Sequence, residues 1–342
     1  MSSSIIFLSE TDVKRCFSMK DCIDINRKAL MSLCKNGGGT VPTHIALPYQ
    51  QSSSENDPIK DWTLFKPASF RQDDKSETSC MGMKLVSVRP DNPHHGLPLV
   101  PATILLVDPP TGQVEAMVSA TYLTAARTAA GSALSAQWIQ SFRENSVDSI
   151  QNLVIFGAGL QAECHIEALC CVIPNITHIT IINRQMERAT NLAQKQKLPT
   201  KVICLQDHNQ VSQACHDADW IVACTNTQTP LWDGSWLKSG CHVMGVGSYT
   251  PDCQEVDDVT VQRSSIVLVD TLDASTVGDL KSLSKPLHLL GDVLRNPNPI
   301  QPSAPCTFYK SVGTAIQDIF TARWIVDQAY QQNLGQRVEQ NG

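Results

Sequence analysis

No stretch of this 342-residue chain approaches the ~18 consecutive apolar residues of a membrane span. Its opening, MSSSIIFLSETDVKRC, also lacks the basic start and long apolar run of an export signal. A cytoplasmic protein with no membrane partner is expected. There is no Lys/Arg cluster either. With 27 basic and 33 acidic residues the formal charge is −6, so the electrostatic footprint of a nucleic-acid binder is missing and small-molecule chemistry is the expectation. The 13 cysteines are odd in number, form no C-x-x-C pair and lie partly in apolar segments. They read as buried, reduced thiols rather than a disulfide framework or a zinc site. His94-His95, in a turn-prone stretch, reads as an exposed loop, so no metal is expected. Internal repeats and long low-complexity tracts are absent.

What is present suggests two domains, since the length allows each its own core. The polar stretches 50–58 and 71–79 read as surface loops within an N-terminal domain. Around them, 81–89 and 102–107 carry the β-branched runs of strands, and DPPTG at 108–112 is a turn leading into a strand at 113–118. Residues 124–139 are Ala-rich and helical, with Gly131 as an interruption.

From residue 152 the pattern alternates: strands at 153–156, 179–182, 201–205 and 219–224, helices at 160–172, 185–195 and 209–216, then strands at 242–246 and 266–269. This order requires parallel strands, predicting an α/β fold with a doubly wound sheet. After a Pro- and Asn-rich stretch, 311–332 reads as an amphipathic helix that returns to the first domain. The expected division is a β-rich domain from 1–130 plus 308–342, and a doubly wound domain from 131–307.

The most informative local feature is Gly157-Ala158-Gly159-Leu160-Gln161-Ala162, which follows the strand 153–156 and opens a helix. In this G-x-G-x-x-A pattern Gly157 permits a tight turn, Gly159 lets backbone amides approach a pyrophosphate, and Ala162 lets helix and strand pack closely. A structural glycine turn is the alternative, but the flanking strand, helix and second strand favour a dinucleotide. The second strand ends in Ile182-Asn183-Arg184. An Asp or Glu there would bind the ribose hydroxyl of NAD and repel a phosphate, whereas neutral Asn183 with the cationic fork of Arg184 favours NADPH over NADH. Arg188, one helical turn on, either adds a second charge or is simply solvated. Thr225-Asn226-Thr227 stands at another carboxyl strand end, where a cofactor would lie.

Three basic residues occur in contexts more apolar than a surface charge needs: Lys84 in MGMKLVSV, Arg127 in LTAARTAAGSA and His44 after VPT. A buried cation is costly without a partner, and a bound carboxylate is a natural one. The bland alternatives are an edge-strand lysine, a structural ion pair and a hydrogen-bonded loop histidine.

Together, Met81-Gly82-Met83-Lys84, Leu123-Thr124-Ala125-Ala126-Arg127-Thr128-Ala129-Ala130, the glycine loop, Val246-Gly247-Ser248-Tyr249-Thr250-Pro251-Asp252 and Tyr309-Lys310-Ser311-Val312-Gly313-Thr314-Ala315 resemble the ornithine cyclodeaminase/mu-crystallin family, from about Phe7 to the final helix. The resemblance implies a Rossmann domain and a β-rich substrate domain from both chain ends that forms a homodimer. Lys84 and Arg127 would then sit beside the nicotinamide and the substrate carboxylate as catalytic residues. Arg127, Thr128, Val246, Gly247, Ser248, Ser311 and Gly313 would join the glycine loop, Asn183, Arg184, Arg188 and 225–227 around the cofactor. At three substrate-binding positions the chain departs from the family. His44 stands for an Arg, Leu99 for a small hydroxyl residue, and Tyr249 for the Asp of cyclodeaminases. These departures favour NADPH-dependent reduction of a cyclic ketimine of the pyrroline- or piperideine-carboxylate type. Ornithine cyclodeaminase, an amino-acid dehydrogenase and a non-catalytic NADPH-dependent binder of a small thyroid-hormone-like ligand are the alternatives.

Overall fold

The computed structural model describes residues 3–49, 61–71, 79–143, 151–296, 301–302 and 306–340. The loop expected at 50–58, and most of that at 71–79, lie outside the described residues. The chain divides into two compact units, Met1–Arg127 with Thr314–Gly342, and Thr128–Gly313.

The first unit is built on a mixed sheet. Its strands run, in spatial order, Gln336–Gln340, Ser3–Leu8, Val114–Ser119, Ala102–Val107, Cys80–Val88, Asp61–Phe70 and Gly39–Thr40, with Ile45–Tyr49 also pairing Asp61–Phe70. All pairs are antiparallel except Ser3–Leu8 with Val114–Ser119. The DPPTG turn joins two of these strands, with Gly112 at φ 73° donating to the Asp108 carbonyl. One face of the sheet is covered by the C-terminal helix Ala315–Gln331. Ile316, Ile319, Ile325 and Val326 of that helix share a core with Ile6, Leu8, Ile104, Leu106 and Val118 of the strands, and Phe320 meets Phe70 with ring centroids 4.8 Å apart.

This helix starts later than the apolar pattern from 311 suggests. Asp270 accepts from the amides of Val312 and Gly313 and from the Ser311 hydroxyl, which holds that segment extended. Thr314 then caps the helix in a capping box with Gln317.

The second unit is an eight-stranded, fully parallel sheet in the order Thr200–Cys204, Ile176–Asn183, Gln151–Phe156, Trp220–Ala223, Cys241–Gly245, Cys306–Lys310, Ser264–Val269 and Leu287–Leu289. Strand order reverses at Gln151–Phe156, the switch point at which doubly wound sheets bind ligands. The helix Thr121–Gln140 is continuous through Gly131, contrary to the expected interruption. It is buried over nearly its whole circumference, so small Ala, Gly and Ser side chains suit close packing, and this outweighs the ~1 kcal/mol propensity cost of one glycine.

Ser132 and Ser135 of this helix hold two buried histidines. His165 Nδ1 donates to the Gln161 carbonyl at 2.7 Å, so its Nε2 accepts from Ser132 Oγ at 2.9 Å. His242 lies between Ser135 Oγ, at 3.0 Å, and Thr307 Oγ1, at 2.8 Å. Burial lowers His165 to about 4, and burial together with the Arg143 charge lowers His242 to about 3. Both are therefore folded as neutral rings. Between the unfolded value near 6.5 and these folded values the unfolded chain binds more protons, so stability falls as pH drops through that window. The thermal midpoint should decline between about pH 6.5 and 4.5, and replacing His165 and His242 by Gln should flatten that slope. An unchanged slope in the double variant contradicts the assignment.

Candidate active site

Lys84 sits in the middle of Cys80–Val88, a central strand with neighbours on both sides, which excludes an edge-strand lysine. Alternation points it to the face covered by the C-terminal helix, where it is 1% exposed. Arg127, 4% exposed, ends the stretch of the helix Thr121–Gln140 that belongs to the first unit. Both cations converge on one carboxylate. Asp318 Oδ1 accepts from Lys84 Nζ and from Arg127 Nε, each at 2.8 Å, and Asp318 is itself buried.

The structural ion pair weighed for Arg127 is thus present, yet it leaves two buried groups unused. Arg127 Nη1 and Asp318 Oδ2 have no hydrogen-bond partner. A buried donor and a buried acceptor left without partners each cost about 1–3 kcal/mol, a penalty that a ligand offering both complements removes. Burial, then the adjacent Arg127 charge, holds Lys84 well below the usual lysine value. Asp318 is lowered: burial opposes this, but Arg127 and Lys84 outweigh it. Asp318 carries a signal the sequence reading passed over. It lies in register with the buried Ala315, Ala322 and Ile325 of its helix, a carboxylate on an apolar stripe. His44 and Leu99, by contrast, are exposed residues outside this buried cluster.

In the second unit the glycine loop follows Gln151–Phe156 at the switch point. Gly157 has φ 115°, and a Cβ there would press the Cys224 carbonyl at 2.9 Å. Gly159 faces open space, with nothing within 4 Å of a Cβ. It is the N-cap of the helix Leu160–Val172 and provides no side-chain cap, so the amides of the first turn point outward at the positive end of the helix dipole. Gln161 Oε1 is buried there without a partner. Ala162 is fully buried against the sheet. An open glycine step, uncapped amides and an orphaned polar atom fit a pyrophosphate. At the end of the next strand Asn183 Nδ2 donates to the Gln185 carbonyl at 2.9 Å, and Arg184 and Arg188 project into solvent.

The remaining candidate loops are held from beneath by acids that the sequence reading did not single out. Glu255, fully buried, accepts from Thr225 N at 2.5 Å, Thr225 Oγ1 at 2.7 Å, Gly247 N at 2.5 Å and Ser248 N at 3.2 Å. Asp279 in turn accepts from the Glu255 and Val256 amides and pairs with Lys310 at 2.9 Å, both side chains inaccessible. Ser248 and Ser311 spend their hydroxyls on Cys253 O and Asp270, leaving backbone as what they can offer a ligand. Thr227 bonds within its own turn, while Asn226 and Thr128 lie in the same unit. Tyr249 is 45% exposed, and partial burial raises its hydroxyl, so it is neutral where a cyclodeaminase-type Asp would be anionic.

Among the described residues no group of three or more His, Cys, Asp and Glu is placed to hold a metal ion, and no helix is long and apolar enough to cross a membrane. All 13 cysteines carry free thiols.

The model of the ornithine cyclodeaminase/mu-crystallin family matches residues 6–333. The chain belongs to this family. It is 30% identical to an uncharacterized cyclodeaminase of Dictyostelium discoideum, over 98% of this chain and 100% of that protein. It is 30% identical to a Delta(1)-pyrroline-2-carboxylate reductase of Bacillus cereus, over 76% of this chain and 80% of that one. The Thermococcus litoralis Delta(1)-pyrroline-2-carboxylate reductase, solved with NADH and L-proline, superposes with a TM-score of 0.83 at 26% identity, covering 98% and 100% of the two chains. This member of the ornithine cyclodeaminase/mu-crystallin family is accordingly an oxidoreductase-type enzyme dependent on NAD(P).

The two loop glycines separate folding from binding. Gly159→Ala should leave the thermal midpoint unchanged but weaken NAD(P)H binding at least about tenfold by calorimetry, since its methyl occupies space an anion needs. Gly157→Ala should lower the midpoint as well, because its backbone is left-handed and backed by Cys224. Equal effects of both on stability would refute the distinction.

Proposed function

We propose that this protein reduces the C=N bond of a small α-imino acid, a cyclic ketimine of the pyrroline- or piperideine-carboxylate type, with NADPH as reductant. The observation that carries the reading is the orphaned pair at the Lys84–Arg127–Asp318 cluster. A substrate with a carboxylate beside an N–H offers the acceptor and the donor that Arg127 Nη1 and Asp318 Oδ2 lack. The bound cofactor supplies a hydride from its nicotinamide. Everything else falls to this chain's own side chains.

Arg127 holds the carboxylate by a charge-assisted bond from Nη1. Lys84 Nζ holds the same carboxylate or gives a proton to the imine nitrogen. Burial beside a second cation makes that proton easier to release than from an ordinary lysine. As the carbon accepts the hydride, the C=N π pair moves to nitrogen, which keeps the proton while Asp318 Oδ2 accepts its N–H. Cations fixed next to a carboxylate draw electron density from the adjacent carbon and orient it. The catalytic residues are thus Lys84 and Arg127.

Preference for NADPH rests on Asn183 and Arg184, a neutral side chain and a planar cation where a ribose-binding acid would select NAD. A homodimer is supported by Ile45–Tyr49, whose Ile45, Leu47 and Tyr49 are all more than half exposed, an apolar stripe that a second copy would cover.

The test follows oxidation of reduced nicotinamide by purified protein with NADPH or NADH against a panel of cyclic ketimines, with ammonia release from ornithine measured in parallel. Imine-dependent oxidation preferring NADPH, without ammonia, is expected. Asn183→Asp with Arg184→Ala should then lower kcat/KM for NADPH by about tenfold or more relative to NADH. Ammonia from ornithine would establish the cyclodeaminase reading that the Dictyostelium relative's name suggests. Silence in both assays would leave a binding protein.

A further inference from the structure

The C-terminal helix takes part in a second set of buried polar side chains that the proposed reaction does not use. Asn26, on the helix Met19–Ser32, and Gln317 and Thr321, on Ala315–Gln331, are all inaccessible to solvent. Their immediate neighbours in sequence include Ile316 and Ala322 of the apolar core. Gln317 Nε2 donates to Asn26 Oδ1 at 3.1 Å, Asn26 Nδ2 donates to Thr321 Oγ1 at 3.2 Å, and Thr321 Oγ1 donates to the Gln317 carbonyl at 2.7 Å. The three residues thus close a ring. Asn26 Nδ2 also donates to the Cys22 carbonyl at 2.8 Å, and Gln317 Oε1 accepts from the Thr314 amide at the start of the helix.

One hydrogen leaves the ring. The second N–H of the Gln317 amide donates to the carbonyl of Arg127 at 3.3 Å, which uses both donors that a glutamine side chain has. Asp318, the next residue along, accepts from Nε of the same arginine at 2.8 Å. Consecutive residues of the last helix therefore hold Arg127 at its backbone and at its side chain. Stability alone does not call for this arrangement, because apolar side chains of similar volume would fill the space without desolvating two amides and a hydroxyl. A fully satisfied buried network does, however, rigidify what it touches. Arg127 Nη1 is the contrast: the residue that bears it is fixed at two points, and this donor alone is left without a partner.

We infer that Gln317, held by Asn26, is a positioning residue that aims Nη1 of Arg127 at the substrate carboxylate. The inference rests on the reading above that Arg127 binds an α-carboxylate, and it adds two residues that act through the arginine rather than on the substrate. A guanidinium held only at Nε can pivot as its backbone shifts. Holding the carbonyl as well removes that freedom before a ligand arrives, so less order has to be imposed on binding. The benefit goes to ligands that present a carboxylate and not to those of the same shape that lack one.

The experiment measures, by calorimetry with NADP+ present, binding of pyrrole-2-carboxylate and of its neutral isostere pyrrole-2-carboxamide to the wild-type protein and to Gln317→Met. Ketimine-dependent oxidation of NADPH is followed in parallel. The wild type should bind the acid about tenfold or more tighter than the amide, and Gln317→Met should lose most of that ratio through weaker binding of the acid, with the amide changed by less than about twofold. Should Gln317→Met fail to fold, Asn26→Ser, which leaves Gln317 in place with one hydrogen bond fewer, is read in the same way and should lose part of the ratio. A ratio unchanged in the variants, with acid and amide weakened equally or not at all, makes the network structural and overturns the inference. A wild-type protein that binds acid and amide alike overturns it too. If the ratio falls as expected but no ketimine is reduced, the imine-reductase reading fails on its own and the role of Gln317 toward Arg127 stands.

Discussion

Asp318 Oδ1 accepts from Lys84 and from Arg127 at 2.8 Å each, and the burial of charge in the first unit depends on that shared oxygen. Three elements distant in sequence, a central strand, an Ala-rich helix and the C-terminal helix, each contribute one charge to a place from which water is excluded. None of the three charges could be buried alone, since an isolated ion in an apolar interior costs far more than any packing around it returns. Together they are held, but incompletely. The arrangement satisfies Nζ, Nε and Oδ1 while leaving Nη1 and Oδ2 open. A purely structural ion network would be expected to close its hydrogen bonds, and this one is left open at a donor and an acceptor that match an α-imino acid.

The second unit solves a different problem by similar means. Its glycine loop must expose amides to an anion, so the strand ends around it cannot satisfy themselves through side-chain caps. Rigidity comes instead from acids below the surface. Glu255 gathers the amides of Thr225, Gly247 and Ser248, Asp279 gathers those of Glu255 and Val256, and Asp270 gathers those of Val312 and Gly313. Burial raises Glu255, and its four donors are what make an anion tolerable there. The loops are thus fixed before any ligand arrives, and ordering them costs a ligand little.

Much of the fold was legible in the sequence. The strand 153–156, the G-x-G-x-x-A step and the alternation that follows specify parallel strands and a switch point through period and glycine placement alone, because those features act over a few neighbouring residues. Lys84 and Arg127 were legible as charges in apolar contexts, and Asn183-Arg184 as the absence of an acid at a defined strand end. Gly131 misled, because helix propensity is a local quantity and close packing of small side chains decided the matter. The start of the last helix misled for a related reason, since Asp270, some 40 residues upstream, captures the amides that the helix would otherwise use.

By itself, then, the sequence determined the class of fold, the dinucleotide loop and the two cations, all of which follow from patterns between near neighbours. Tertiary structure alone decided what those cations meet. Asp318 lies 234 residues from Lys84 and 191 from Arg127. Which charges share a face, which are neutralised and which atoms stay open are set by strand register and helix docking, and electrostatics in a dry interior acts on distance in space, not along the chain.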